Sequence, residues 1–232
     1  VAKETGMPLS ARFPAVLYAL ENQADGWYFL SRNEVDARGG YLNLDVGGST
    51  ADLSLWLGGK NHAAAECSLL LGCRQMLYAS FAGGHGADFA ADFAHGSGPM
   101  AEAAAALAAR LERSEPLGQE ARKTMLLMDG FFATYAPEIR RAMEEARAGG
   151  RVSYTECLLL FHFGFLFSLC GLMMERAWQE PELRPLLPVK LVVCIAGNGG
   201  QLMKALSREQ TDSLCRLALD TLSREHPTEA LM

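Results

Sequence analysis

The sequence has no basic excess. Its 21 Lys and Arg face 27 Asp and Glu, giving a formal net charge of −6 and a pI near 5.4. With no clustered positive charge to release phosphate counterions, this argues against a general nucleic-acid surface. A cysteine framework is also missing. The six cysteines, at 67, 73, 157, 170, 194 and 215, form no CxxC and mostly lie in apolar runs. They read as reduced core residues, which favours a cytoplasmic setting. There is no signal-peptide pattern, no internal repeat and no long linker. What remains is a chain of 232 residues, 50% hydrophobic and 21% charged, enough for one large domain or two small ones.

The most informative stretch is YLNLDVGGSTADLSLW, from Tyr41 to Trp56. Tyr41, Leu42, Leu44 and Val46 form a mostly apolar run that can cross a buried sheet, with Asp45 near its end. Gly47 and Gly48 allow a tight turn that a ligand can approach closely. Ser49 and Thr50 add hydroxyls. Asp52 follows, and Leu53, Leu55 and Leu57 alternate with Ser54 and Trp56 in a second strand. Turn N–H groups and hydroxyls suit phosphate oxygens, and carboxylates suit a divalent metal and its waters.

A second candidate lies downstream, in VKLVVCIAGNGGQLMKAL, from Val189 to Leu206. Lys190 to Ala196 reads as a buried parallel strand because its apolar residues do not alternate. Gly197, Asn198, Gly199 and Gly200 follow at its carboxyl end, and Gln201 opens a helix. Ligands in open α/β sheets bind at such ends. Three glycines in four residues exceed what a plain strand-to-helix turn needs, and Asn198 or Gln201 suits a base or ribose.

DVGGSTAD resembles the second phosphate loop of the actin, sugar-kinase and heat-shock-chaperone ATPase superfamily, Asp-x-Gly-Gly-x-Thr-x-Asp between two strands. Asp45, Gly47, Gly48, Thr50 and Asp52 match it, and the downstream stretch resembles the superfamily's adenosine motif. The two stand about 140 residues apart, the separation expected when a helical subdomain lies between them. The resemblance implies an α/β, ribonuclease-H-like lobe with a mixed sheet and an inserted helical subdomain. Residues 1–80 would hold the first part with the phosphate loop, 81–150 the mainly helical insert, and 151–232 the remainder with the adenosine motif. It implies ATP and Mg²⁺ as cofactors. Asp45 and Asp52 would orient the metal, while Thr50 and the backbone of Gly47, Gly48 and Ser49 would hold phosphates. Gly197, Gly199 and Gly200 would pass close to the adenosine.

Such ATPases have two lobes, and no first phosphate loop precedes this one. The resemblance therefore implies the second lobe of a longer protein, with the first lobe as a partner and further protein partners open. Two alternatives stand beside the ATPase: a small-molecule kinase lobe, and a non-catalytic nucleotide-binding or assembly module.

The other segments read as scaffold. Pro14 to Leu20 resembles the superfamily's connecting helix, but suits any packed helix. Trp27 to Leu30 is a short strand or a loop, and Arg38-Gly39-Gly40 a turn. Gly58-Gly59 reads as a hairpin turn, His62 to Leu70 as a third strand, and Leu71 to Leu77 as a helix start. His85, Asp88, Asp92 and His95 would share one helical face; a solvated stripe explains them more simply than a metal site. Ala101 to Arg113 is a strong helix by propensity, and Glu115 to Gly118 breaks it. Further helices are expected over Gln119 to Tyr135 and Pro137 to Ala148, the latter ended by Gly149-Gly150. Glu120 and Lys123 have the spacing of an adenine and ribose clasp in chaperone relatives; an exposed helical pair is the simpler reading.

Tyr154 to Met174 is the most hydrophobic run. It approaches a bilayer span, but Glu156, His162, Ser168 and two glycines interrupt it. It reads as a buried helix, not a membrane one, with His162 a hydrogen-bonded core histidine. Ser207 and Gln210 form a capping box, with Leu214, Leu217, Ala218 and Leu222 on one helical face. The tail from Pro227 reads as frayed.

Overall fold

Strand alternation divides the central sheet into two unlike faces. The computed structural model describes residues 28, 40–58, 63–93, 98–113, 119–187 and 192–223. Three consecutive strands, β1 (Tyr41–Val46), β2 (Ala51–Trp56) and β3 (Ala65–Leu69), pair antiparallel. A fourth, β4 (Val192–Ala196), returns parallel to β1, giving the order β3-β2-β1-β4. The fold is α/β with a four-stranded mixed sheet. The stretches outside the described residues include Pro14 to Leu20, Gly59, His95, the break at Glu115 to Gly118 and the tail from Pro227.

The register places Leu42, Leu44, Val46, Ala51, Leu53 and Leu55 on one face. All six belong to the main hydrophobic core with the helices. The opposite face carries Tyr41, Asn43, Asp45, Asp52, Ser54 and Trp56. Asn43 and Ser54 there are fully buried, and Asp45 is 6% exposed. Tyr41 and Trp56 stack at 5.6 Å and form a small separate cluster with Cys194.

Between β3 and β4 the described residues are helical: α1 (Cys73–Ser80), α2 (Gly86–Phe93), α3 (Pro99–Glu112), α4 (Gln119–Ala148) and α5 (Tyr154–Gln179). A π turn over Phe81–His85 joins α1 to α2, with Gly84 at φ 93°. That left-handed backbone needs glycine. α4 is kinked at Tyr135, φ −111° and ψ 16°, which divides it into the two helices expected on either side, with Pro137 in the first turn of the second. Proline two residues into a new turn loses little, since its missing N–H falls where the ladder is already broken. Phe89, Phe93, Phe131 and Phe132 lock α2 onto α4 through edge-to-face contacts.

α5 begins at Ser153, whose side chain accepts from the Glu156 N–H. Asp92 adds a second cap by accepting from the N–H groups of Tyr154 and Thr155, at 3.0 and 2.6 Å. Among the described helices, α5 alone has the length and composition to cross a membrane, and half of its most apolar window is buried within the chain. Phe161 is 75% exposed and Leu172 50%, so the helix is not buried all round as its composition suggests. His162 is 1% exposed, but neither ring nitrogen has a hydrogen-bond partner among the described residues. That corrects the expectation of a satisfied histidine. Burial pulls its pKa down to about 4, so the ring is neutral at pH 7.

α6 (Arg208–Ser223) packs on α5. Its capping box forms as read: the Ser207 N–H donates to Gln210 Oε1 at 2.9 Å, and the Gln210 N–H to Ser207 Oγ at 3.3 Å. Two other expectations change. Tyr28, in the segment read as strand or loop, is helical. Among the described residues β4 lies at the sheet edge and is only partly buried: Cys194 is buried, and Val192 is 38% exposed.

Candidate functional site

The turn between β1 and β2 is built from backbone. The Gly47 N–H donates to Thr50 O at 2.9 Å and closes it. Its outward carbonyls are then taken by the start of α1. The Gly72 N–H donates to Ser49 O, the Cys73 N–H to Gly47 O and the Gln75 N–H to Gly48 O, at 3.0 to 3.2 Å. The Cys73 thiol adds a weak bond to Gly47 O at 3.4 Å. The turn is thus fixed to the first turn of α1, whose N–H groups would otherwise lack partners.

Crowding by backbone demands glycine at Gly72. Neither Gly47 nor Gly48 has positive φ. A methyl on Gly72 would strike the backbone of Gly48 and Ser49, and one on Gly48 would meet the Arg74 guanidinium at 2.5 to 2.8 Å.

The downstream glycines complete the same place. Gly197 has φ 77°, and a methyl on it would strike the Asp45 carboxylate and the Val46 carbonyl. One on Gly199 would lie 2.6 Å from Cys73 Sγ and Val46 Cγ1. Parallel pairing brings this about, because Asp45 and Ala196 are partners at the carboxyl ends of β1 and β4. The structure therefore unites Asp45, Gly47, Gly48, Ser49, Thr50, Gly197 and Gly199 at one end of the sheet. Asn198 and Gln201 are exposed beside them. One detail is corrected: Gln201 does not open a helix but lies inside a 3-10 segment running Asn198–Ala205.

Asp45 and Asp52 are directly opposite in register, on one face, with Cβ atoms about 5 Å apart by sheet geometry. Two like charges so placed repel, and a divalent cation or its waters between them would relieve this. The pair fits Mg²⁺ by oxygen chemistry and spacing. Among the described residues, no group of three or more His, Cys, Asp or Glu surrounds a metal position, so most of the coordination would come from water and phosphate. Gly47 departs from its expected role, since its N–H is already engaged within the turn.

Three side chains at this site escape a sequence reading. Arg74 lies over Gly48 and pairs through Nε with Asp129 on α4 at 2.7 Å. Its N–H points off the line to the carboxylate, leaving an ion pair without a formal hydrogen bond. Burial raises the Asp129 pKa, more than the Arg74 charge lowers it. Burial likewise pushes the Cys73 thiol up to about 11, so it packs as a neutral group. A cation in the first turn of a helix opposes the helix dipole; that oddity at Arg74 was the legible signal.

The remaining candidates lie elsewhere. His85 and Asp88 pair at 2.9 Å, both about half exposed, beside a cavity of about 690 Å³ that Asp92, Arg151 and Cys157 also line. Asp92 serves α5 as a cap. Lys123 is exposed on α4. None of the six cysteines is in a disulfide, and Cys157 is exposed rather than in the core.

Comparison of the chain with protein-family models, with curated proteins and with solved structures returns no match.

Proposed function

We propose that this chain is the Mg²⁺-dependent ATP-binding lobe of an actin-like or chaperone-like ATPase, with a ribonuclease-H-like core. The observation that carries this is the convergence of two distant glycine motifs on Asp45. The turn after β1 and the turn after β4 meet at the carboxyl ends of adjacent parallel strands, and methyl groups on Gly197 or Gly199 would fill the meeting point. Three antiparallel strands leading into a helix support the core topology.

In this reading Asp45 and Asp52 hold Mg²⁺ through its waters. Thr50 and the N–H groups of Gly48 and Ser49 take the β- and γ-phosphates, with adenosine along Gly197 to Gly200 and exposed Asn198 and Gln201 beside it. Positioning and charge neutralisation would supply most of the rate. The attacking water would be held partly by groups of another lobe, so the isolated chain binds weakly and turns over poorly.

The test is calorimetric titration of MgATP into the chain and an Asp45→Ala variant. Binding lost in the variant supports the reading; equal binding by both overturns it. Steady release of free phosphate by this chain alone would sink the two-lobe mechanism, and a phosphorylated acceptor would turn the reading to a kinase.

A further inference from the structure

We propose that Arg74 reads the charge of the bound nucleotide: its guanidinium takes the terminal phosphate at the Gly48 turn, and Asp129 is the carboxylate it gives up to do so. The proposal rests on the nucleotide-binding reading and adds to it a residue outside both glycine motifs.

Position comes first. The guanidinium lies against Gly48, since a Cβ there would be 2.5 Å from Cζ and 2.8 Å from Nη1. Arg74 is the second residue of α1. The N–H groups of Gly72, Cys73 and Gln75 hold the turn on either side of it in sequence. The backbone at Arg74 is therefore held against the turn by hydrogen bonds of its neighbours.

Availability comes next. Asp129 engages the Nε edge, and among the described residues it is the one ion-pair partner of Arg74. Nε and Nη1 both lie over the glycine, 2.7 and 2.8 Å from a Cβ placed there, and among the described residues no ion pair engages the Nη groups. A guanidinium offers its donors as a planar fork, which suits two phosphate oxygens better than a point charge does. Both partners of the pair keep 24% of their side-chain surface, so an incoming anion reaches the site without unfolding anything.

Asp129 gives the proposal its sharper form. It competes with phosphate for one cation, so its charge should weaken anion binding. A structural ion pair predicts the reverse, because losing either partner would then loosen the turn.

The experiment measures MgATP, MgADP and AMP affinities by calorimetry for the wild-type chain, Arg74→Gln and Asp129→Asn, with circular dichroism confirming the fold. Arg74→Gln should weaken MgATP by ~10- to 100-fold, the range for a hydrogen bond to a charged group, and leave AMP unchanged. Asp129→Asn should tighten MgATP several-fold. Unaltered MgATP affinity in folded Arg74→Gln overturns the proposal, while loss of binding in Asp45→Ala would keep the nucleotide reading intact. Equal weakening of MgATP and AMP also overturns it. Should Arg74→Gln fail to fold, Asp129→Asn decides: tightening supports the proposal, and unchanged or weaker binding refutes it. Absence of nucleotide binding by the wild-type chain removes both.

Discussion

The two faces of the sheet solve different problems with the same strands. Leu42, Leu44 and Val46 point into a core shared with α5, where fit and area decide everything. Tyr41, Asn43 and Asp45, interleaved with them, form a buried polar row. Burial is nearly as complete on both faces, yet only the apolar one is explained by the hydrophobic effect. The polar row is held by a ring stack, by the Trp56 Nε1–H donated to Ser54 Oγ at 3.0 Å, and by contacts at the glycine turn. Each side also contains buried polar groups that break its rule: among the described residues, His162 in the apolar helices and Asn43 in the polar row both lack hydrogen-bond partners. Apolar packing is concentrated on one face and buried polar groups on the other.

Four substitutions break or sharpen that contrast. The largest effect belongs to Leu44→Ala. It removes a fully buried side chain from the rigid middle of the apolar face and should cost ~2–5 kcal/mol in urea unfolding. Next is His162. Its native pKa, near 4, lies below the unfolded value of 6.5, so the unfolded chain binds the extra proton. The native state keeps its full stability above pH 6.5 and loses ~3 kcal/mol as pH falls towards 4. His162→Phe should flatten the unfolding free energy across that window; an unchanged slope would assign the acid sensitivity elsewhere.

Asn43→Val tests the polar row. Removing a buried, unpartnered amide should stabilise the fold by about 1–2 kcal/mol. A loss instead would mean that the amide has a partner in solution. The smallest effect is expected from Trp56→Phe, which keeps the stack on Tyr41 but leaves Ser54 Oγ without its donor, at a cost of ~1 kcal/mol in thermal unfolding.

Much of this was legible because it is local. The strand-turn-strand at Tyr41 to Trp56, the Ser207–Gln210 box and the glycine turn after Ala196 each carry their instructions within a few residues. The meeting of the two glycine motifs was inferred from resemblance, because no local pattern says that β4 returns beside β1. The misreadings share one cause. Whether His162 finds a partner, whether β4 is central, and whether Arg74 lies over Gly48 are settled by neighbours distant in sequence. The division of α4 at Tyr135 was legible, because proline breaks a helix interior but suits a first turn.

The pairing of Leu42 with Val193 also imposes a timetable. During synthesis the hairpin, the turn and α1 can form as soon as residues 41–80 are free. The wall made by Gly197 and Gly199 must wait until almost the whole chain has emerged. Closing so long a loop is entropically slow compared with hairpin formation. A nascent chain would thus carry a finished glycine turn with one side missing, and the pocket end of the sheet would be completed late and all at once.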